Sequence, residues 1–171
     1  FAITVCSLGK LLVAQSEHGI CAILMGDDAR SLERDLRRRF PHARIDAGGR
    51  DFGRVVATVV RFVETPRAGL TLPLDVRGTA FQQRVWLALR KIPVGKTATY
   101  TEIAKRIGAP RATRAVASAC AANPLAVAIP CHRVIRSDGG LAGYRWGVAR
   151  KRALLEEEAG RNRDGLPPGS A

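Results

Sequence analysis

Two capping boxes twenty residues apart set the starts of two helices and so constrain the second half of the chain more than any other feature. Thr79-Ala80-Phe81-Gln82 precedes Val85, Trp86, Leu87 and Leu89, and Thr99-Tyr100-Thr101-Glu102 precedes Ile103, Ala104 and Ile107. In each, a threonine hydroxyl is placed to accept from the backbone three residues on, while the Gln or Glu reaches back to the threonine N–H. The second helix closes at Gly108 and passes through Ala109-Pro110 into a third helical stretch, from about Arg111 to Ala122. Helix, short Gly-containing turn and helix form the helix-turn-helix pattern. The third helix carries Ala112, Ala115, Ala117, Ala119, Ala121 and Ala122 with Arg111 and Arg114. Small residues suit close approach to a backbone or a shallow groove better than reading deep in a major groove. An Ala-rich core helix with solvated arginines is the alternative.

The first part reads differently. Short apolar runs at Phe1 to Cys6, Leu11 to Gln15 and Ile20 to Met25, separated by turn residues, predict a β-meander. Helical patterns follow at Asp28 to Phe40 and Asp51 to Glu64, ended by Pro41 and Pro66. The Pro-, Gly- and Leu-rich stretch from Pro66 to Val76 is the expected boundary, dividing residues 1–76 from 77–160, and the tail 161–171 is expected to be disordered. Twenty-eight Lys and Arg against 15 Asp and Glu give a formal charge of +13, which favours a polyanionic partner. No apolar run is long enough to span a membrane and no signal-peptide pattern is present, so a cytoplasmic protein with free thiols is expected. The absence of an initiator Met at Phe1 suggests a piece of a longer chain, although a trimmed chain would look the same.

Among the four cysteines, Cys131 stands out in Ile129-Pro130-Cys131-His132-Arg133-Val134. A thiol reacts as thiolate, and a neighbouring imidazole and cations help it to lose its proton. The apolar run Leu125 to Ile129 is expected to be a buried strand or extended segment that delivers Cys131. In such a chain Cys131 and His132 would point to opposite faces, so a bridging water or a turn is needed between thiol and imidazole. The loop Ser137 to Gly147, with Tyr144 and Trp146, reads as one wall of a pocket for a flat ligand. The last helix, Val148 to Ala159, ends in Glu156-Glu157-Glu158, one of which could orient His132. Two other readings are a DNA-binding regulator with a structural Cys131 and a cysteine hydrolase; the latter would need an oxyanion hole and a base in direct contact.

These strings, with Arg114-Ala115-Val116, Asn123, Gly143-Tyr144-Arg145-Trp146-Gly147 and Leu154-Leu155, closely resemble the O6-alkylguanine-DNA alkyltransferase family. The resemblance spans nearly the whole chain. Through Arg77 to Gln83 and Arg114 to Asn123 it is nearest to the C-terminal half of bacterial Ada-type proteins. It implies an α+β fold: a ribonuclease-H-like α/β domain, then an α-helical, winged-helix-like domain with the helix-turn-helix. It also implies a stoichiometric repair protein that moves a methyl group from O6 of guanine, and from O4-methylthymine as well, onto Cys131, leaving a thioether that is not turned over.

The resemblance further implies a role for each site residue. Cys131 is linked through water to His132 and then to Glu158, Tyr100 protonates N3 of the leaving guanine, and Asn123 holds the cysteine loop to the recognition helix. Arg114 enters the base stack in place of the flipped nucleotide, with Thr99, Arg111, Ala115 and Ser118 beside it at the DNA. Tyr100, Val134, Tyr144, Arg145 and Trp146 surround the base. The implied partner is duplex DNA containing O6-alkylguanine, bound through the minor groove by a monomer, with no membrane and no cofactor. Cys6, His18 and Cys21 do not reproduce the zinc ligand set of some relatives, so no metal is expected. The zinc and regulatory domain of full Ada-type proteins has no counterpart in the sequence. Relatives that accept large O6 groups carry a proline before the acceptor and a small loop residue where this chain has Ala126 and Trp146. A tight pocket, poorly inactivated by O6-benzylguanine, is therefore expected.

Overall fold

The computed structural model describes residues 1–164. Strands β1 (Ala2–Cys6), β2 (Gly9–Ser16) and β3 (Gly19–Gly26) form an antiparallel sheet in sequential order, as the meander pattern predicts. Leu11, Leu12, Val13 and Ala14 of the central strand are all buried, so both faces of the sheet are covered there. Helix α1 (Ala29–Arg39) packs against β2 and β3, and α2 (Phe52–Glu64) against β1 and β2. Asp28 caps α1, its carboxylate accepting from Ser31 N at 2.9 Å.

The outer edge of β3 receives two later parts of the chain. Ile20 N donates to Pro73 O and Asp75 N to Ile20 O, both at 2.8 Å. Further along, Ile23 N donates to Pro124 O and Ala126 N to Ile23 O, both at 2.9 Å. The segment just before Cys131 is thus laid on the edge of the first sheet.

In the second half, helices α3 (Ala80–Arg90), α4 (Tyr100–Arg106) and α5 (Thr113–Ala121) pack on one another. Both predicted capping boxes are closed, at Thr79/Gln82 and Thr99/Glu102. Gly108 leaves α4 at φ 75°, in the left-handed region that a side chain resists. Arg111 lies in the turn before α5, and the helix begins two positions later than its pattern suggested. Strand β4 (Ala98–Thr99) pairs in parallel with β5 (Val134–Ile135), which fixes both ends of the site to one ladder. Helix α6 (Val148–Asp164) continues beyond the expected Ala159, so residues 161–164 are helical rather than disordered; 165–171, the rest of the expected disordered tail, lie outside the described residues.

The run Leu125 to Ile129 is not a strand. Beyond its single bridge to Ile23, it folds into a tight turn in which Ile129 N donates to Leu125 O and Val127 takes φ 67°. The cause is Asn123, whose side-chain oxygen accepts from Leu125 N and whose amide donates to Ile129 O, each at 2.8 Å. A side chain that supplies both partners offers the backbone an alternative to a ladder. A short apolar run carries no periodicity that distinguishes the two outcomes.

Trp86 joins the helices. It is buried, its indole N–H donates to Ala119 O at 2.9 Å, and a Cβ on Gly78 would stand 2.5 Å from its ring. Trp86→Ala therefore removes a packed aromatic and leaves a carbonyl without its donor, and is expected to cost about 3–5 kcal/mol. Urea unfolding of the two proteins measures this; a loss below about 1 kcal/mol would show that α3 and α5 do not depend on the ring.

Candidate active site

Cys131 begins a 3-10 turn, Cys131–Arg133, entered from Pro130, and its side chain is buried. This turn replaces the extended geometry expected for the pair, and it still directs the two side chains differently. Sγ accepts from Asn123 Nδ2 at 3.2 Å, and no hydrogen bond joins it to His132 among the described residues. The imidazole instead faces α6, with Nε2 2.8 Å from Glu158 Oε1. Of the three consecutive glutamates, Glu158 is the buried one, while Glu156 and Glu157 are exposed.

Glu158 is also bound by Arg133, with Nη2 on Oε1 at 2.9 Å and Nε on Oε2 at 3.1 Å. Burial opposes ionisation of this carboxyl, but the hydrogen bonds and charges of His132 and Arg133 outweigh it and hold it down at about 2. An ionised Glu158 accepts the proton of Nε2–H, which leaves Nδ1 of a neutral ring as a lone-pair acceptor. Nδ1 is buried and bonded to no protein atom. Burial lowers the His132 pKa against the raising effect of Glu158, so the ring is neutral at pH 7.

Burial raises the Cys131 thiol to about 11, against the Asn123 hydrogen bond and the Lys151 charge, which lower it. At pH 7 only on the order of one chain in 10⁴ would hold a thiolate unaided, so this thiol reacts only with a base at hand.

The thiol lines a cleft of about 430 Å³ with Tyr100, Ala117, Cys120, Ala121 and the loop 142–145. Tyr100, the first residue of α4, is raised to about 12 by burial and then by the two cysteines, so it keeps its proton. The loop is held from outside: Arg145 donates to Asp35 of α1 at 2.7 Å and to Ala121 O at 3.0 Å. Of the expected site residues, Cys131, Tyr100, Tyr144 and Arg145 line the cleft, while Asn123 is buried against the thiol and the His132–Glu158 pair is buried outside the lining. Two expected lining residues are elsewhere. Val134 is fully buried in β5, and Trp146 is buried behind the wall, edge-on to Tyr144 with ring centroids 5.3 Å apart and 5.6 Å from the Arg145 guanidinium. Ala126 is buried as well, so neither it nor Trp146 narrows the cleft, and the expectation of a pocket tightened by Trp146 is corrected.

Arg114, Ala115 and Ser118 share the exposed face of α5, opposite Val116, Ala119 and Cys120, and Arg111 is exposed beside them. Thr99 is half-buried and its hydroxyl is occupied as the cap of α4. Sequence reading missed Lys151, fully buried, which donates to Val134 O at 2.5 Å and stands 6.0 Å from the Tyr100 ring centroid. The spacing of Lys151, Leu154 and Glu158 on one helical face was the available signal.

Residues 1–76 match the family model for the 6-O-methylguanine DNA methyltransferase ribonuclease-like domain, and residues 80–160 that for its DNA binding domain. The bifunctional transcriptional activator/DNA repair enzyme Ada of Escherichia coli is 55% identical over 159 residues, covering 93% of this chain and 45% of that protein. The inducible methylated-DNA–protein-cysteine methyltransferase of Bacillus subtilis is 40% identical over 71% of this chain and 68% of its own length. A crystal structure of Mycobacterium tuberculosis OGT in complex with DNA superposes with a TM-score of 0.73 at 40% identity, covering 93% of this chain and 92% of that one. The chain spans about half the length of the first curated relatives it matches, 45% of Ada and 53% of the M. tuberculosis methyltransferase. A ribonuclease-like part followed by a helical DNA-binding part defines the class. Within it, the chain belongs to the 6-O-methylguanine DNA methyltransferase family.

The ionised node fixes a pH dependence of stability. Glu158 and His132 both have folded pKa values below their ordinary ones, so the unfolded chain binds more protons and stability rises with pH. The contribution of His132 is present above about 6.5 and fades as pH falls below it; that of Glu158 is present above about 4.5 and fades toward about 2. Glu158→Gln is expected to cost about 3–5 kcal/mol at pH 7.5, because Arg133 is left buried without its carboxylate, and to flatten the slope below about pH 4.5. Urea titrations from pH 7.5 to 3.5 test this; an unchanged slope would remove Glu158 from the node.

Proposed function

We propose that this chain repairs DNA by direct reversal, taking the methyl group of O6-methylguanine in duplex DNA onto Cys131 once per molecule. The observation that carries the reading is the acceptor thiol on the floor of a base-sized cleft, beside a neutral imidazole whose far nitrogen is held by an ionised glutamate. His132 Nδ1 takes the thiol proton through a water, since the two groups do not touch. The sulfur attacks the methyl carbon, the O6–C bond breaks, and its electron pair passes into the guanine, which takes a proton at N3 from Tyr100. The product is a thioether, and no group in the cleft activates a leaving sulfur, so the chain is consumed.

The methyl carbon cannot be reached inside a duplex, so the nucleotide is flipped out at a cost of a few kcal/mol. Arg114, exposed at the start of α5, fills the vacated stack, while Ala115 and Ser118 let the helix lie close in a minor groove and Arg111 contacts phosphate. Thr99 fixes the start of α4 and hence Tyr100. The net charge of +13 supports binding to duplex through phosphates, with a steep loss of affinity in salt, and the chain is taken to act as a monomer. O4-methylthymine presents the same methyl-oxygen bond and is taken as a second substrate. Residues 1–76 and 77–160 act as the two functional units. No helix among the described residues is long and apolar enough to cross a membrane, and the DNA of the cell interior is the site of action.

Incubation with excess duplex carrying labelled O6-methylguanine tests the reading. Label is expected on the Cys131 peptide, saturating at one methyl per active chain, and Cys131→Ser is expected to abolish transfer with DNA affinity nearly unchanged. Acidification below the lowered pKa of His132 slows the burst without changing its amplitude. Released product with sustained turnover would mean hydrolysis, and binding without transfer would mean a DNA-binding regulator.

A further inference from the structure

The cleft holds a second thiol that methyl transfer does not use. Cys120 lies near the end of α5, buried, and lines the cleft together with Tyr100, Ala117 and Cys131. Asn123 links the two residues: its N donates to Cys120 O at 3.2 Å, and its Nδ2 donates to Cys131 Sγ, also at 3.2 Å. Both cysteines line one cleft; burial first, then Cys131, pushes the Cys120 thiol up to about 12. Tyr100 and Lys151 each feel both sulfurs. Cys6 and Cys21 do not line this cleft.

A pair of sulfurs restricts what can be held. Structural zinc takes four protein ligands, and among the described residues no group of three or more His, Cys, Asp or Glu side chains is placed to hold a metal ion. A trivalent arsenical with one organic substituent needs two sulfurs only, and its third position carries its own group. The cleft of about 430 Å³, walled by Tyr100 and Tyr144, has room for a flat ring there.

We propose that Cys120 and Cys131 form a dithiol site for mono-substituted trivalent arsenicals, which occupy the cleft and block the acceptor sulfur. In the step, two As–O bonds of the hydrated arsenical break and two As–S bonds form. The two thiol protons leave with the two hydroxides as two waters, and arsenic stays trivalent throughout. Because both thiols keep their protons at neutral pH, these supply the protons that the departing hydroxides need. The second sulfur adds intramolecularly, so the site holds arsenic against a monothiol competitor by roughly 100-fold or more over a single cysteine. Capture of arsenic rests on the geometry alone; only its consequence for repair rests on the function proposed above.

The test uses the full chain carrying Cys6→Ser and Cys21→Ser, with phenylarsine oxide as probe and glutathione in excess. Intact mass is expected to show one arsenic per chain, with both remaining thiols protected from iodoacetamide and released by 2,3-dimercaptopropanol. Cys120→Ala and Cys131→Ala, each made separately, are expected to weaken retention in glutathione by roughly 100-fold. Retention in Cys120→Ala equal to the parent, or alkylation of both thiols in the arsenic-treated parent, would overturn the site. Methyl transfer measured in parallel separates the two claims: arsenic held by a parent inactive on methylated DNA refutes the proposed function alone, while an active parent that fails to retain arsenic refutes the dithiol site alone.

Discussion

The carboxylate of Glu158 is the interaction on which the rest of the site depends. It is 1% exposed, and such a charge is costly away from water unless every lone pair is met. Here Arg133 and His132 meet it, and Arg133 also donates to Ile92 O at 2.7 Å, at the end of α3. One buried anion thereby ties α6, the Cys131 turn and α3 to a single geometry. The same anion decides the imidazole tautomer, and so which nitrogen remains to receive a proton. A neutral glutamate or a displaced arginine would disturb the imidazole without touching the thiol.

A second constraint reaches the cleft from the first half of the chain. Asp35 holds Arg145 on the cleft wall, Arg39 donates to Ala122 O at the end of α5, and the edge of β3 carries residues 124–126. The edge of β3 thus supports the turn that delivers Cys131, and α1 supports the loop that walls the cleft. Preorganisation of this kind fixes the position of the thiol before any ligand arrives.

What was legible in the sequence followed from local rules. Thr79 and Thr99 announced their helices because a capping box is satisfied within four residues. The roles of Cys131, His132, Asn123, Glu158 and Tyr100 were assigned by the family resemblance alone, because residue spacing left open which of the three consecutive glutamates faces inward; Glu158 is the buried one. The turn at 125–129 was hidden because it is made by the Asn123 side chain, a partner that a run of apolar residues does not reveal. Trp146 was misplaced for a related reason. An aromatic in a glycine-rich loop fits either side of a wall, and its contacts with Tyr144 and Arg145 put it behind. Lys151 was missed because a lysine between two charged neighbours reads as solvated surface, whereas its ammonium meets Val134 O inside.

The central claim is that ionised Glu158 holds the Nε2 proton of a neutral His132 and leaves Nδ1 free to receive the proton of Cys131. Nitrogen-15 NMR of the protein labelled at histidine measures this directly, with His132 assigned by comparison with His132→Gln. At pH 7 the account predicts a neutral ring protonated at Nε2 and bare at Nδ1, and in Glu158→Gln a loss of that fixed tautomer. A ring protonated at Nδ1, or at both nitrogens, at neutral pH would contradict it.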